Sequence, residues 1–259
     1  GLEINCYASR IANWSRHPRR EEDFAASREE LELVLPRMRK LGIKMLRGMS
    51  FLVPKDETPD SPELEAIIFA KLNTLVRICA DHGVRYGHEN CMNYGGLSYR
   101  HTLKLLDRVQ SPALTLIFDA GNPVFTPDRD DPVARPSQSS WEFYRNVREF
   151  ISYVHIKDGI MQIGPDGSRN MTFTFPGEGA GEVAKIVGDM LARGYDGGFS
   201  IEPHMTPLFE PDDNRDDPRI QALRRRETYL EYGRRFERLL AAEKAKLHAA
   251  GTSGAVTGA

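Results

Sequence analysis

The sequence predicts an α/β fold in which parallel strands, joined by crossover helices, gather into a barrel. Three observations carry that expectation. Four short runs, Tyr86-Gly87-His88-Glu89, Leu116-Ile117-Phe118-Asp119, Tyr153-Val154-His155 and Phe199-Ser200-Ile201-Glu202, have strand character, and each ends in a carboxylate or an imidazole. Helical segments fill every gap between them, and alternation this regular implies parallel pairing with right-handed crossovers. A length of 259 residues is enough for one large α/β domain with a sizeable core.

Taken in order, residues 2–8 open the chain as a strand. Residues 28–41 carry Leu31, Val34, Leu35, Met38 and Leu41 as a helical stripe. Ser27 stands where an N-cap would, Glu30 completes a capping box, Pro36 should kink the helix and Gly42 ends it. Residues 43–50 form the next strand. Ser61-Pro62 opens a helix that runs through Ala80, Gly83 closes it, and residues 84–89 are the third strand. Helices over 99–109, 141–150 and 182–192 precede the strands that end at Asp119, His155 and Glu202. After His155, residues 160–163 and 171–175 flank the turn Gly164-Pro165-Asp166-Gly167, which predicts a hairpin placed to overhang the strand ends. A polar loop over 206–218 leads to a long helix over 219–248, and the small polar residues 249–259 read as a disordered tail. Residues 1–248 thus form a single domain.

Composition narrows the classes. A net charge of -2 gives no general attraction to nucleic acid or to an anionic membrane. The run Arg224-Arg225-Arg226 reads as a solvated helix face, because Glu227, Glu231, Glu237 and Glu243 interleave with the bases. The three cysteines, Cys6, Cys79 and Cys91, are too few and too scattered for a disulfide framework or a thiolate zinc site. No apolar stretch approaches the roughly 20 residues that span a bilayer, and no charged-then-apolar leader opens the chain. A cytoplasmic enzyme is the expectation.

The strand ends carry the chemistry. Thr115, Ile117 and Asp119 share one face of their strand, as do Tyr153 and His155, and Ser200 and Glu202. A strand ending inside a parallel barrel delivers its last inward side chain to the face where such folds place their reactions. Taken singly, each of Glu89, Asp119, His155 and Glu202 has an ordinary use as a helix cap or solvated charge. Together they form a cluster of acids whose mutual repulsion a bound cation would offset. Carboxylates with one imidazole suit manganese first, then magnesium or cobalt, with zinc also admissible. Lys157 points the same way as His155, for a substrate oxygen or phosphate or for a surface ion pair. Arg47, near the end of its strand, is a substrate contact or a structural salt bridge, and His204 shares parity with Glu202 beyond Pro203. His88 should face away from Glu89 and pack outside the barrel. Residues 177–181 lack the lysine of a P-loop and read as a tight turn before the next helix. Trp14 and Trp141 read as core aromatics rather than as a sugar-stacking wall.

With His155-Ile156-Lys157-Asp158 and Gly177-Glu178-Gly179, the four strand endings make residues 2–248 resemble the xylose-isomerase-like sugar isomerase/epimerase superfamily. The resemblance implies a (β/α)8 TIM barrel in which Glu89, Asp119, His155 and Glu202 hold the metal from the last four strands. It further implies that Glu89 and Glu202 exchange a proton with a ketose or keto-sugar through an enediolate, giving isomerisation or epimerisation. Only two strand candidates precede the one ending at Glu89, where the superfamily has four. The barrel is therefore expected to lack its first one or two β/α units, an N-terminal segment having been lost. Ketose 3-epimerases of the superfamily usually carry a histidine and an arginine where this sequence has Asn122 and Met161; Asn122 can still donate to a sugar oxygen. The alternative activity is a lyase on a keto-inositol or 3-keto-glycoside, which begins with the same proton abstraction. Further alternatives are a DNA-repair endonuclease, which would need three zinc ions and more histidines than the seven present, and a sugar-binding protein without catalysis. Related barrels often associate, so a homo-oligomer is among the assemblies the resemblance implies.

Overall fold

The structure, a computed structural model, describes residues 2–205 and 218–254. In chain order its elements are β1 (Tyr7–Ala8), α1 (Glu21–Leu41), β2 (Met45–Gly48), α2 (Pro62–Asp81), β3 (Arg85–Glu89), α3 (Tyr99–Val109), β4 (Leu114–Asp119) and the single turn α4 (Asn122–Phe125). Then follow α5 (Ser140–Val147), β5 (Ile151–Ile156), the hairpin strands β6 (Asp158–Ile163) and β7 (Arg169–Thr174), α6 (Val183–Ala192), β8 (Gly198–Ile201) and α7 (Pro218–Gly254). Six strands pair in parallel in the order β1-β2-β3-β4-β5-β8, curled into a half-barrel with the helices outside, while β6 and β7 form a separate antiparallel ribbon. The fold is a partial TIM barrel.

The helices form where stripe and cap agree. Ser61 caps α2 by accepting from the Leu64 amide at 3.2 Å, with Pro62 at the first helical position. Ser98 does the same for α3, and Ser139 for α5. Apolar faces of α1, α2 and α3 pack on β2 and β3, with Leu31, Leu46, Leu72 and Tyr86 fully buried. A second cluster joins β4 and β5 to α5, α6 and α7 through Phe118, Tyr144, Val154, Val187 and Tyr232.

Four expectations need correction. Helix α1 begins at Glu21 rather than after Ser27, because Glu21, Glu22 and Asp23 favour the positive end of the helix and extend it past the apolar stripe. Ser27 instead lies buried inside α1, donating to Asp23 O and accepting from the Ala12 amide, while Glu30 accepts from the Arg10 amide. The helix continues through exposed Pro36 to Leu41. The first strand contracts to Tyr7–Ala8, since only those residues meet β2; Leu2 and Ile4 are exposed. The helix expected over 141–150 ends at Val147 and finishes as a 3-10 turn, Arg148–Phe150. Finally, α7 runs on to Gly254, so the tail expected to be disordered from Ala249 starts as helix. Residues 255–259, and 206–217 of the predicted polar loop, lie outside the described residues. Among the described residues no helix is long and apolar enough to cross a membrane, and the three cysteines are free.

His88 faces away from the strand ends, as parity requires, and is fully buried. Its Nε2 lies 2.9 Å from Ser50 Oγ, which already donates to Asn93 Oδ1 and accepts from the Gly95 amide. That network assigns the proton to Nε2 and leaves Nδ1 buried without a partner. Burial therefore pushes the imidazole pKa down to about 4. The unfolded chain takes up this proton near pH 6.5, so stability rises with pH between those values and is lost as the pH falls through them. By pH 5 the loss from this residue amounts to about 2 kcal/mol. Urea unfolding at pH 7 and pH 5 should show a correspondingly smaller drop for His88→Gln than for the wild type; equal drops would mean that His88 is not a source of the acid sensitivity.

Candidate metal centre

Each member of the cluster owes its position to a strand end. Glu89 closes β3 and Asp119 closes β4; His155 sits in β5 directly opposite Asp119 in the register. Glu202 follows β8, its amide tied to Ile156 O at 3.0 Å. Asn90, the residue after Glu89, clamps β4 to β3 by accepting from the Asp119 amide at 2.7 Å and donating to the Asp119 carbonyl at 3.0 Å. As a result one ligand atom from each of Glu89, Asp119, His155 and Glu202 lies within 4.8 Å of all the others. Three of the side chains are buried, and that of Glu202 is about a quarter exposed toward a cavity of about 660 Å³.

Cations are woven through the acids. His155 Nδ1 lies 3.1 Å from Glu89 Oε1 and 2.9 Å from Glu202 Oε1. Arg47 reaches Glu89 Oε2 with Nη1 at 3.2 Å and donates to Ser9 O with Nη2 at 3.0 Å. Lys157 Nζ sits 2.6 Å from Asp119 Oδ2, 3.3 Å from Glu202 Oε2 and 3.0 Å from Asn122 Oδ1. The surface ion pair considered for Lys157 is thus replaced by a buried one, because the strand carries the side chain inward beside Asp119. His204 is half-exposed at the cavity wall, with Nε2 3.5 Å from Glu202 Oε2 and its ring against Phe173.

These contacts set the charge states. Burial opposes protonation of His155, but Glu202 and Glu89 on the same nitrogen outweigh it and raise the ring to about 10. Burial likewise works to raise Glu202 and Glu89, yet His155 holds both below the ordinary carboxylate range, aided by Lys157 at Glu202 and by Arg47 at Glu89. Asp119 is moved up, because its complete burial exceeds the help of Lys157.

The group therefore demands positive charge at its centre. Asp119 shows this most plainly: Oδ1 accepts from the Gly121 and Asn122 amides at 2.8 and 2.9 Å, while Oδ2, buried, has only the Lys157 ammonium beside it. Three carboxylates and an imidazole with this arrangement fit a hard or borderline divalent cation, which would take the place of the proton on His155.

Several residues around the centre escaped the sequence reading. Trp14 is not a core residue but lines the cavity, 41% exposed, since it lies in the irregular loop after β1 where no periodicity signals direction. Trp141 does pack as expected, on Tyr144 and under Lys185. The hairpin overhangs the site through Met171 and Phe173, whereas Met161 does not line the cavity. Residues 177–181 do more than turn: the amides of Gly177, Gly179 and Gly181, with that of Gly159, converge on the buried Asp158 carboxylate at 2.8 to 3.1 Å. The geometry is that of an anion nest, filled by the chain's own carboxylate. The sequence signal was present in Asp158 and the spaced glycines, but nothing in it paired them.

A parallel half-barrel with a carboxylate–imidazole cluster at the C-terminal ends of its strands defines the class. The sequence model of the xylose isomerase-like TIM barrel family matches residues 1–226, and the chain belongs to that family. Among the curated proteins none matches the sequence at a significant level. Solved structures with the same fold include a D-tagatose 3-epimerase-like protein, with TM-score 0.66 and 17% identity, covering 95% of this chain and 80% of that one. A xylose isomerase-like TIM barrel protein from Mycobacterium smegmatis in complex with magnesium has TM-score 0.62 and 17% identity, covering 94% and 74%. The IOLI protein with a bound zinc atom has TM-score 0.63 and 16% identity, covering 93% and 77%.

Proposed function

We propose that the chain is a divalent-metal-dependent isomerase or epimerase that moves a proton on the carbon beside the carbonyl of a ketose or keto-sugar. The observation that carries this reading is the gathering of Glu89, Asp119, His155 and Glu202, with Glu89, His155 and Glu202 lining a cavity large enough for a substrate and Asp119 buried behind them. Likeness to an epimerase-like protein and to magnesium- and zinc-bound relatives supports it. Manganese is the first choice of ion, with magnesium, cobalt and zinc as substitutes.

An ion held by the four side chains would polarise the substrate oxygens and make the neighbouring C–H acidic. Glu202, open to the cavity, is the residue that takes the proton from carbon. Glu89, once it has taken a proton from cavity water, gives it to the same carbon in an epimerase or to the neighbouring carbon in an isomerase, and Glu202 passes its own proton back to water to close the cycle. Arg47 and Lys157 hold the glutamates and Asp119 in place, and Asn122, which lines the cavity and whose Nδ2 has no partner, would donate to a substrate oxygen. His204 contributes a ring edge at the cavity wall.

The test is solvent-deuterium incorporation into a panel of ketoses and keto-inositols, with and without manganese. Metal-dependent exchange is expected; its absence across the panel in manganese-loaded protein contradicts the reading. Elimination from a keto-inositol or 3-keto-glycoside begins with the same step, so the product separates a lyase from an isomerase.

A further inference from the structure

The cavity above the cluster changes character from floor to mouth. Its floor is ionic and polar, lined by Arg47, Glu89, Asn122, His155, Lys157 and Glu202. Around the mouth stand Trp14, Met92, Phe125, Met171, Phe173 and Tyr229. They come from separate parts of the chain: the loops after β1 and β3, the turn α4, strand β7 and helix α7.

Trp14, Met92, Met171 and Tyr229 are between 41% and 65% exposed. Large apolar side chains scattered singly over a surface mean little, but several converging on one opening mark a ligand surface. Phe173 is braced edge-on by Phe125 at 4.9 Å between centroids, with the His204 ring on it at 5.2 Å, so the platform is packed before anything binds. At about 660 Å³ the space is of drug-sized-ligand dimensions, for which about 300–1,000 Å³ is usual.

A free, fully hydroxylated sugar would satisfy the floor and leave the mouth in water. A purely apolar ligand, or a protein partner on the rim, would leave the ionic floor unmatched. Because mouth and floor belong to one continuous cavity, a single amphipathic ligand answers both. Resting on the function proposed above, we infer that the substrate is a keto-sugar bearing a flat apolar substituent, such as a glycoside with an aryl aglycone. Its keto ring sits over the cluster and its aglycone lies between Trp14 and Phe173.

The probes are the methyl and phenyl glycosides of 3-keto-glucose, titrated calorimetrically into the protein in manganese-containing buffer. The phenyl compound is expected to bind at least roughly tenfold more tightly, from apolar burial and ring–ring contact. In Trp14→Ala, and separately in Met92→Gln, whose side chain is exposed and whose replacement leaves the core alone, the preference should shrink. Equal affinities, no binding of either compound, or a phenyl preference that survives both substitutions overturns the inference. Deuterium exchange on the same compounds reports separately on the reaction: a phenyl preference without exchange upholds the ligand class and sinks the chemistry, whereas exchange with equal affinities does the reverse.

Discussion

Replacing Glu202 by glutamine is expected to lower metal-dependent deuterium exchange by a factor on the order of 10³ or more, with Glu89→Gln at least as damaging. Glutamine keeps the shape of the side chain but can neither accept the proton nor carry the charge that His155, Lys157 and Arg47 are arranged around. The two variants should differ in stability. The Glu89 side chain is almost fully buried between His155 and Arg47, so its neutralisation leaves buried cations without their partner, a change that costs several kcal/mol. Glu202 also pairs with buried His155 and Lys157, but its side chain is about a quarter exposed to the cavity, where water compensates in part, so its variant should lose less stability than Glu89→Gln. Undiminished exchange by folded Glu202→Gln would remove it as the base.

The second large effect falls on Asp158. Its carboxylate accepts from four backbone amides, Gly177 and Gly179 on Oδ2, Gly159 and Gly181 on Oδ1, and is 1% exposed. Asp158→Ala strands all four donors, at about 1–3 kcal/mol for each one left unsatisfied, so a loss on the order of 4 kcal/mol is expected even after water enters. Asp158→Asn should recover little, since its amide nitrogen must face one pair of N–H groups. The nest itself admits no rearrangement at Gly179, where an added Cβ would lie 2.3 Å from Asp158 Oδ1. Urea unfolding measures the loss; a change under about 1 kcal/mol for Asp158→Ala would mean that the amides are satisfied without the carboxylate.

The parts of the molecule that follow from local pattern were legible in the sequence. Helix α3 spans Tyr99–Val109 as expected, because an apolar stripe and the Ser98 cap agree on its limits. The four ligand-type residues were legible as a group, because period-two alternation fixes the face of each strand and parallel register carries the faces to one end. Long-range effects were not. Lys157 was predicted to point toward the site, but its burial beside Asp119 depends on how closely β4 and β5 approach. Trp14 is held at the cavity by a loop whose path is set by backbone bonds from Met49 to Ile11 and from Phe51 to Ala12, contacts that span some 40 residues in sequence. Ser27 misled for the opposite reason: a good capping pattern lost to a longer acidic helix start.

Whether Glu89, Asp119, His155 and Glu202 form a metal centre is decided by equilibrium dialysis of the chelator-treated protein against manganese. A single ion should be retained per chain, with proton release from His155 on binding and retention lost in Asp119→Ala. A folded wild-type protein that retains no manganese, magnesium, cobalt or zinc, or an Asp119→Ala variant that retains the ion as firmly as the wild type, would contradict it.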